Sequence, residues 1–200
     1  MVARARRSAL GVLFCLISFG QVIEFDNRGL HYQTLTRGGV TVMFAHMPSH
    51  LREYSILQVA VSNGSEGPYS IRPEDFRFVR PDGSTVHASS ADHVVNMLLD
   101  KGTRNDVVRL VTAYESGLYG IQRMISTNGY ELRRQAALAE VQSTKLKAAA
   151  AASAIALVQT RLPSGESTDG AVFFSSEGKP LAGGHLVVQT NTDTFEFKDE

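Results

Sequence analysis

Through much of residues 30–88, apolar and polar positions alternate with a period of two, the pattern of strands rather than helices. Val40, Val42 and Phe44 alternate with Thr41, Met43 and Ala45, which predicts a strand with one buried face. A second strand is predicted over Glu53 to Ser62, with Leu57, Val59 and Val61 on one face and Ile56, Gln58 and Ala60 on the other. Asn63-Gly64-Ser65-Glu66-Gly67-Pro68 is dense in turn residues and ends it. Phe76 and Phe78 share a face of a third strand, and Pro81-Asp82-Gly83-Ser84 turns the chain into a return strand from Thr85 to His87.

The period then changes to that of a helix. Ser89 with Asp92 resembles a capping box ahead of Val94, Met97 and Leu98, and Thr103 with Asp106 repeats the signature. Val107, Leu110, Val111 and Tyr114 follow at amphipathic helical spacing. Asn128 with Glu131 opens a third, longer helix, which is expected to run through Lys145, Leu146 and Lys147 into Ala148–Ala152. Alanines bury little area each but allow close approach, so this stretch is expected to lie flat on another element. After about Ile155 the β pattern returns. Pro163-Ser164-Gly165 and Gly178-Lys179-Pro180 are turns, Gly170 to Phe174 is a short strand, and Leu186 to Gln189 pairs with Phe195 to Phe197 around Asn191 and Asp193. Neither β segment alone has enough strands to bury both faces. The chain therefore reads as α+β and mainly β: one antiparallel β-sandwich interrupted by about three helices, at about residues 89–153.

Two segments carry a resemblance. The run from Tyr54 to Asn63 is similar to the long strand of small immunoglobulin-like domains in bacterial cell-envelope proteins, which passes from an aromatic through alternating apolars into an Asn turn. Leu162-Pro163-Ser164-Gly165-Glu166-Ser167-Thr168-Asp169-Gly170-Ala171-Val172-Phe173-Phe174 resembles the Leu-x-Pro-Gly-Glu-Ser-x-x-Gly-x-Val-x-Phe stretch of those domains, with Ser164 inserted between Pro163 and Gly165. The resemblance covers about 100 residues in two pieces and omits the helical insertion. It implies an immunoglobulin-like sandwich of uncharacterised function, of a class given mostly to binding, adhesion or assembly, and it implies no ligand.

The N-terminus changes the picture of where the chain goes. Arg4, Arg6 and Arg7 precede an uncharged apolar run from Ala9 to Phe19, too short to favour a full membrane span. Ser18 and Gly20 place small residues at −3 and −1 of a cut before Gln21, the layout of a secretory signal peptide. Residues 1–20 are accordingly read as a signal peptide and 21–200 as a single domain, exported to the periplasm or the extracellular space. If the segment stays uncleaved it serves as a membrane anchor instead. The sole cysteine, Cys15, lies in this run in a poor lipobox, so a chain cleaved before Gln21 has no thiol and no disulfide. Lys plus Arg and Asp plus Glu total 20 each; without the three N-terminal arginines the body carries 17 basic against 20 acidic residues. That balance argues against a nucleic-acid partner.

Candidate chemistry is sparse. Met43, His46, Met47 and His50 bring together thioethers and imidazoles, which hold Cu(I) without cysteine. Against that, Met43 can fill a core gap, and the two histidines can lie on a solvated turn. His87 and His93, with Asp92 nearby, match no established ligand spacing. No Gly-x-Ser-x-Gly elbow, dinucleotide loop or Walker loop follows a strand. Asn63-Gly64-Ser65 is a glycosylation sequon but also an ideal turn, and Arg133, Arg134, Lys145 and Lys147 read as a solvated helix face. The expected function is thus a non-enzymatic binding or assembly module of the bacterial cell envelope, without a cofactor. Its partner is another envelope protein or, second to that, a glycan, met through the helical insertion or an exposed sheet edge. Two alternatives stand beside it: a periplasmic copper-binding protein using Met43, His46, Met47 and His50, and a hydrolase whose triad is assembled only in three dimensions.

Overall fold

A computed structural model of the chain describes residues 20–27, 29–111, 143–177 and 181–198. The N-terminal segment read as a signal peptide, the Gly178-Lys179-Pro180 turn and the Asn128–Glu131 helix start lie wholly or largely outside these residues. The described chain is mostly antiparallel β with helices, in agreement with the α+β expectation.

Nine strands join in one sheet: β1 (Ile23–Asn27), β2 (Leu30–Arg37), β3 (Val40–Leu51), β4 (Tyr54–Asn63), β6 (Phe76–Val79), β7 (Thr85–Ser89), β9 (Ser167–Ser175), β10 (His185–Gln189) and β11 (Thr194–Glu196). Their spatial order is β1-β2-β3-β4-β9-β7-β6-β10-β11. β5 (Tyr69–Ile71) and β8 (Thr160–Leu162) form a separate two-stranded ribbon. The helices α1 (Ala91–Lys101), α2 (104–111 as far as described) and α3 (Thr144–Ile155) fall between β7 and β8.

The two segments that carry the family resemblance are neighbours in space. β4 and β9 pair antiparallel without a break from Tyr54↔Ser175 to Ser62↔Ser167. Both strands are buried on both faces along almost their whole length. β3 is also covered on both sides, where its alternation had predicted one buried face. On one side, Met43, Ala45, Ile56, Ala60 and Phe173 pack beneath Val94 and Leu98 of α1, Leu110 of α2 and the alanines of α3. On the other, Val42, Phe44, Leu57, Val59 and Val61 meet Phe76, Phe78, Leu186 and Phe195. The second core exists because the sheet curls until β11 comes back over β2. Phe44 and Phe197 meet edge-to-face there, with ring centroids 4.9 Å apart.

The helices are set by their caps. Ser90, rather than Ser89, is the N-cap of α1 and accepts from the backbone N–H of His93 at 3.3 Å. Ser89 is still part of β7 and pairs with Phe173. The Thr103–Asp106 box forms as expected: Asp106 Oδ2 accepts from Thr103 N and Oγ1 at 2.8 Å, and Thr103 Oγ1 accepts from Asp106 N at 3.4 Å. Ser143 is non-helical and occupies the N-cap position of α3, so the helix that covers Ala148–Ala152 begins at Thr144, and its expected start at Asn128 lies outside the described residues. The alanine run lies flat as expected. Ala148, Ala149, Ala151 and Ala152 are buried against α1 and the sheet.

The exit from α3 is tied to the centre of the sheet. Leu157 N donates to Ala171 O at 2.8 Å, and this approach is possible because residue 170 is glycine. A Cβ on Gly170 would stand 2.6 Å from Leu157 Cα and N, both backbone atoms that cannot swing aside. Gly170→Ala is expected to destabilise the fold by about 2 kcal/mol, in line with other overpacking changes. Urea unfolding checks this, and a loss under about 0.5 kcal/mol, the range of an ordinary surface substitution, would contradict the close approach.

Candidate functional site

The four Met/His positions are divided by the strand that carries them. Between His46 and His50 the pairing of β3 with β4 is irregular, a bulge where Pro48 interrupts the ladder. Upstream of it the alternation holds. Met43 is buried in the core beneath the helices, and His46 points to the opposite side of β3. There His46 lies edge-on to Phe44 and Phe78, with ring centroids 5.6 and 6.1 Å away. Its rim is exposed. The surrounding protein nonetheless pushes its pKa below the ordinary 6.5, and His31 adds a smaller push in the same direction.

The bulge opens a pocket of about 250 Å³ beside the strand. His46, Met47, Pro48, His50, Ser55, Ile56 and Leu181 line it, and Met43 does not. Three of the four predicted ligands line this cavity, but Met47, like Met43, belongs to the core beneath the helices, on the side of β3 away from His46. Among the described residues no three His, Cys, Asp or Glu side chains cluster as a metal site. His87, Asp92 and His93 are all exposed, at the end of β7 and the first turn of α1.

Sequence reasoning did not single out Ser55 or Ser176. His50 Nδ1 lies 3.3 Å from Ser55 Oγ, Ser55 Oγ lies 2.9 Å from Ser176 Oγ, and Ser176 Oγ donates to the Glu53 carbonyl at 3.2 Å. The Glu53 carbonyl can only accept, so Ser176 donates to it; along Ser55–Ser176 and Ser55–His50 either partner can be the donor. The contact of Ser55 with His50 follows from the hairpin register, which places the two residues opposite each other. A two-residue turn at Arg52-Glu53 would have predicted that pairing. Ser176 lies 121 residues from Ser55, beyond reach of any local signal.

A second candidate surface is the edge of the sheet. Every residue of β1 from Ile23 to Asp26 is exposed, and among the described residues β1 has one strand neighbour, β2. Ile23 is 61% and Phe25 40% exposed, and Phe25 stacks on Tyr32 at 5.3 Å. Glu24 and Asp26 share the other face with His31, whose ring is 2.9 Å from Asp26 and 3.5 Å from Glu24. The hydrogen bond to Asp26 raises the His31 pKa above 6.5 against the opposing effect of desolvation. Comparison with models of known families, with curated proteins and with solved structures finds no match.

Proposed function

We propose that the chain is an exported, non-enzymatic binding or assembly module of the bacterial cell envelope, built on an immunoglobulin-like sandwich scaffold. Its partner is another envelope protein, engaged by adding a strand to β1. The observation that carries this reading is β1 itself, a strand exposed along one edge with two large apolar side chains in solvent. Strand addition needs an open backbone ladder for affinity and alternate side chains for specificity, and among the described residues β1 offers both. Proteins ordinarily blunt such an edge with charges, proline or a bulge; Ile23-Glu24-Phe25-Asp26 has no proline, and its two charges, Glu24 and Asp26, are engaged with His31 on one face. The basic and then apolar N-terminal segment supports export, and the β4 and β9 segments support the family likeness.

The test is a photo-crosslinking residue placed at Ile23 in the native host, compared with one at exposed Val158. A specific adduct is expected at Ile23 alone, in the envelope fraction, and is lost in Glu24→Pro, which removes a ladder donor on the edge strand. Equal labelling at both positions, or an adduct indifferent to Glu24→Pro, would overturn edge recognition. Intact-mass analysis of the native protein tests export separately. A species beginning at Gln21 is expected, and a full-length cytoplasmic species would end that part of the reading.

A further inference from the structure

We propose that the strand received by β1 alternates basic with apolar side chains, the basic ones opposite Glu24 and Asp26 and the apolar ones opposite Ile23 and Phe25. This partner chemistry rests on the edge recognition proposed above. Successive side chains of a strand point to opposite faces, so β1 presents two different rows. Phe25 stacks on Tyr32, which belongs to the core beneath the helices, and alternation puts Ile23 on that same side. Glu24 and Asp26 stand on the other side, paired with Gln33 and His31 of β2. Their side chains are 43% and 83% exposed. His31 contacts both carboxylates, and Gln33 Nε2 donates to Glu24 at 2.5 Å. A carboxylate offers about four lone-pair positions, so these contacts leave acceptor capacity on both groups. Among the described residues, a protonated His31 balances only one of the two charges, and the row stays negative. A second copy of β1, paired antiparallel about Phe25 with the apolar rows on one side, would set Glu24 against Asp26. Like charges directly opposite are destabilising, so the row selects against self-pairing and for a strand with a cation at every second position. Exposed ion pairs add little each. The ladder and the apolar row therefore carry most of the affinity, while the charges set partner choice and register.

The experiment measures the binding of two short fluorescent peptides to the full chain by anisotropy, one alternating Lys with Val and the other alternating Glu with Val. At low salt the Lys peptide is expected to bind about tenfold more tightly than the Glu peptide. That preference should narrow as salt screens the exposed charges. The double reversal Glu24→Lys, Asp26→Lys should invert it. Both positions are exposed, and thermal unfolding checks that each variant remains folded. Glu24→Gln should narrow the preference and keep both peptides bound. Glu24→Pro removes the same charge and a ladder donor as well, and should lose both peptides. Equal affinity for the two peptides, or a preference that survives the double reversal, overturns the basic-apolar partner while edge recognition stands on the loss in Glu24→Pro. Binding of neither peptide up to about 1 mM, or a Glu24→Pro variant indistinguishable from Glu24→Gln, overturns edge recognition and the partner chemistry with it.

Discussion

Asn63→Ala is expected to cost about 2–4 kcal/mol of stability, more than removal of any single hydrogen bond would suggest. Asn63 is fully buried at the end of β4. Its two Nδ2 protons are shared among the carbonyls of Gly67, Leu162 and Pro163 at 2.8, 3.0 and 3.1 Å. Its Oδ1 accepts from Ser65 N at 3.0 Å and Ser65 Oγ at 2.6 Å. The side chain therefore closes its own turn and ties that turn to the loop before β9. Alanine leaves several of these groups buried without partners, and each such group carries a desolvation cost. Asn63→Asp should be at least as damaging, because a carboxylate would face the three carbonyls. Denaturant midpoints at neutral pH check both. A loss under about 1 kcal/mol for alanine, or a milder effect for aspartate, would show that the hub is replaceable. The same burial argues that Asn63 serves the turn and not as a glycan acceptor.

Arg52→Ala is expected to cost about 2–3 kcal/mol. The guanidinium reaches from the β3–β4 turn to Asp106 at 2.9 and 3.2 Å, and it also donates to the Lys101 carbonyl at the end of α1. The Asp106 side chain is only 5% exposed, so removing its cation strands a buried charge. The Thr103 hydrogen bonds survive and keep the cost at the low end of that range. Arg52 holds φ at 53°, a left-handed conformation disfavoured with a side chain present. Arg52→Gly should therefore recover about 1 kcal/mol relative to alanine. Burial raises the Asp106 pKa, but the hydrogen bonds from Thr103 and then the Arg52 guanidinium outweigh it and hold the carboxyl below its ordinary 3.8. A depressed carboxylate stabilises the fold above its unfolded value, and that contribution is lost as pH falls through the folded one. The stability of the native protein should consequently decline below about pH 4 with a component that Arg52→Ala lacks in part. Parallel pH profiles of unfolding free energy measure this, and superimposable slopes would refute the coupling.

Much of the sheet was readable because its alternation was regular. The faces assigned to Leu57, Val59 and Val61 and to Ile56 and Ala60 are those observed. Burial of both faces was not readable for β3, since Thr41 makes one side look solvated until the helices are placed over Met43, Ala45 and Met47. The α1 cap shifted by one residue because two serines adjoin, and only the pairing of Ser89 with Phe173 decides between them. β1 was missed because it follows directly on an apolar run that reads as a single segment. The metal candidates were found by residue type, but their separation was not. An alternating strand sets Met43 and Met47 on one side of β3 and His46 on the other, and the bulge that brings His46 and His50 to one pocket depends on hairpin geometry that residue identities do not encode.

The position of β9 sets a timetable for folding. This strand fills the gap between β4 and β7, yet it is made more than 100 residues after β4, across the register Ser62↔Ser167. Until it arrives, neither core can close, and the strands already synthesised have two open flanks. Such long-range pairing makes loop closure the slow step, so a nascent chain lacking residues 167–175 should stay protease-sensitive and chaperone-dependent. Emergence of residues 167–175, rather than completion of the first hairpins, is then the event that lets the two cores close.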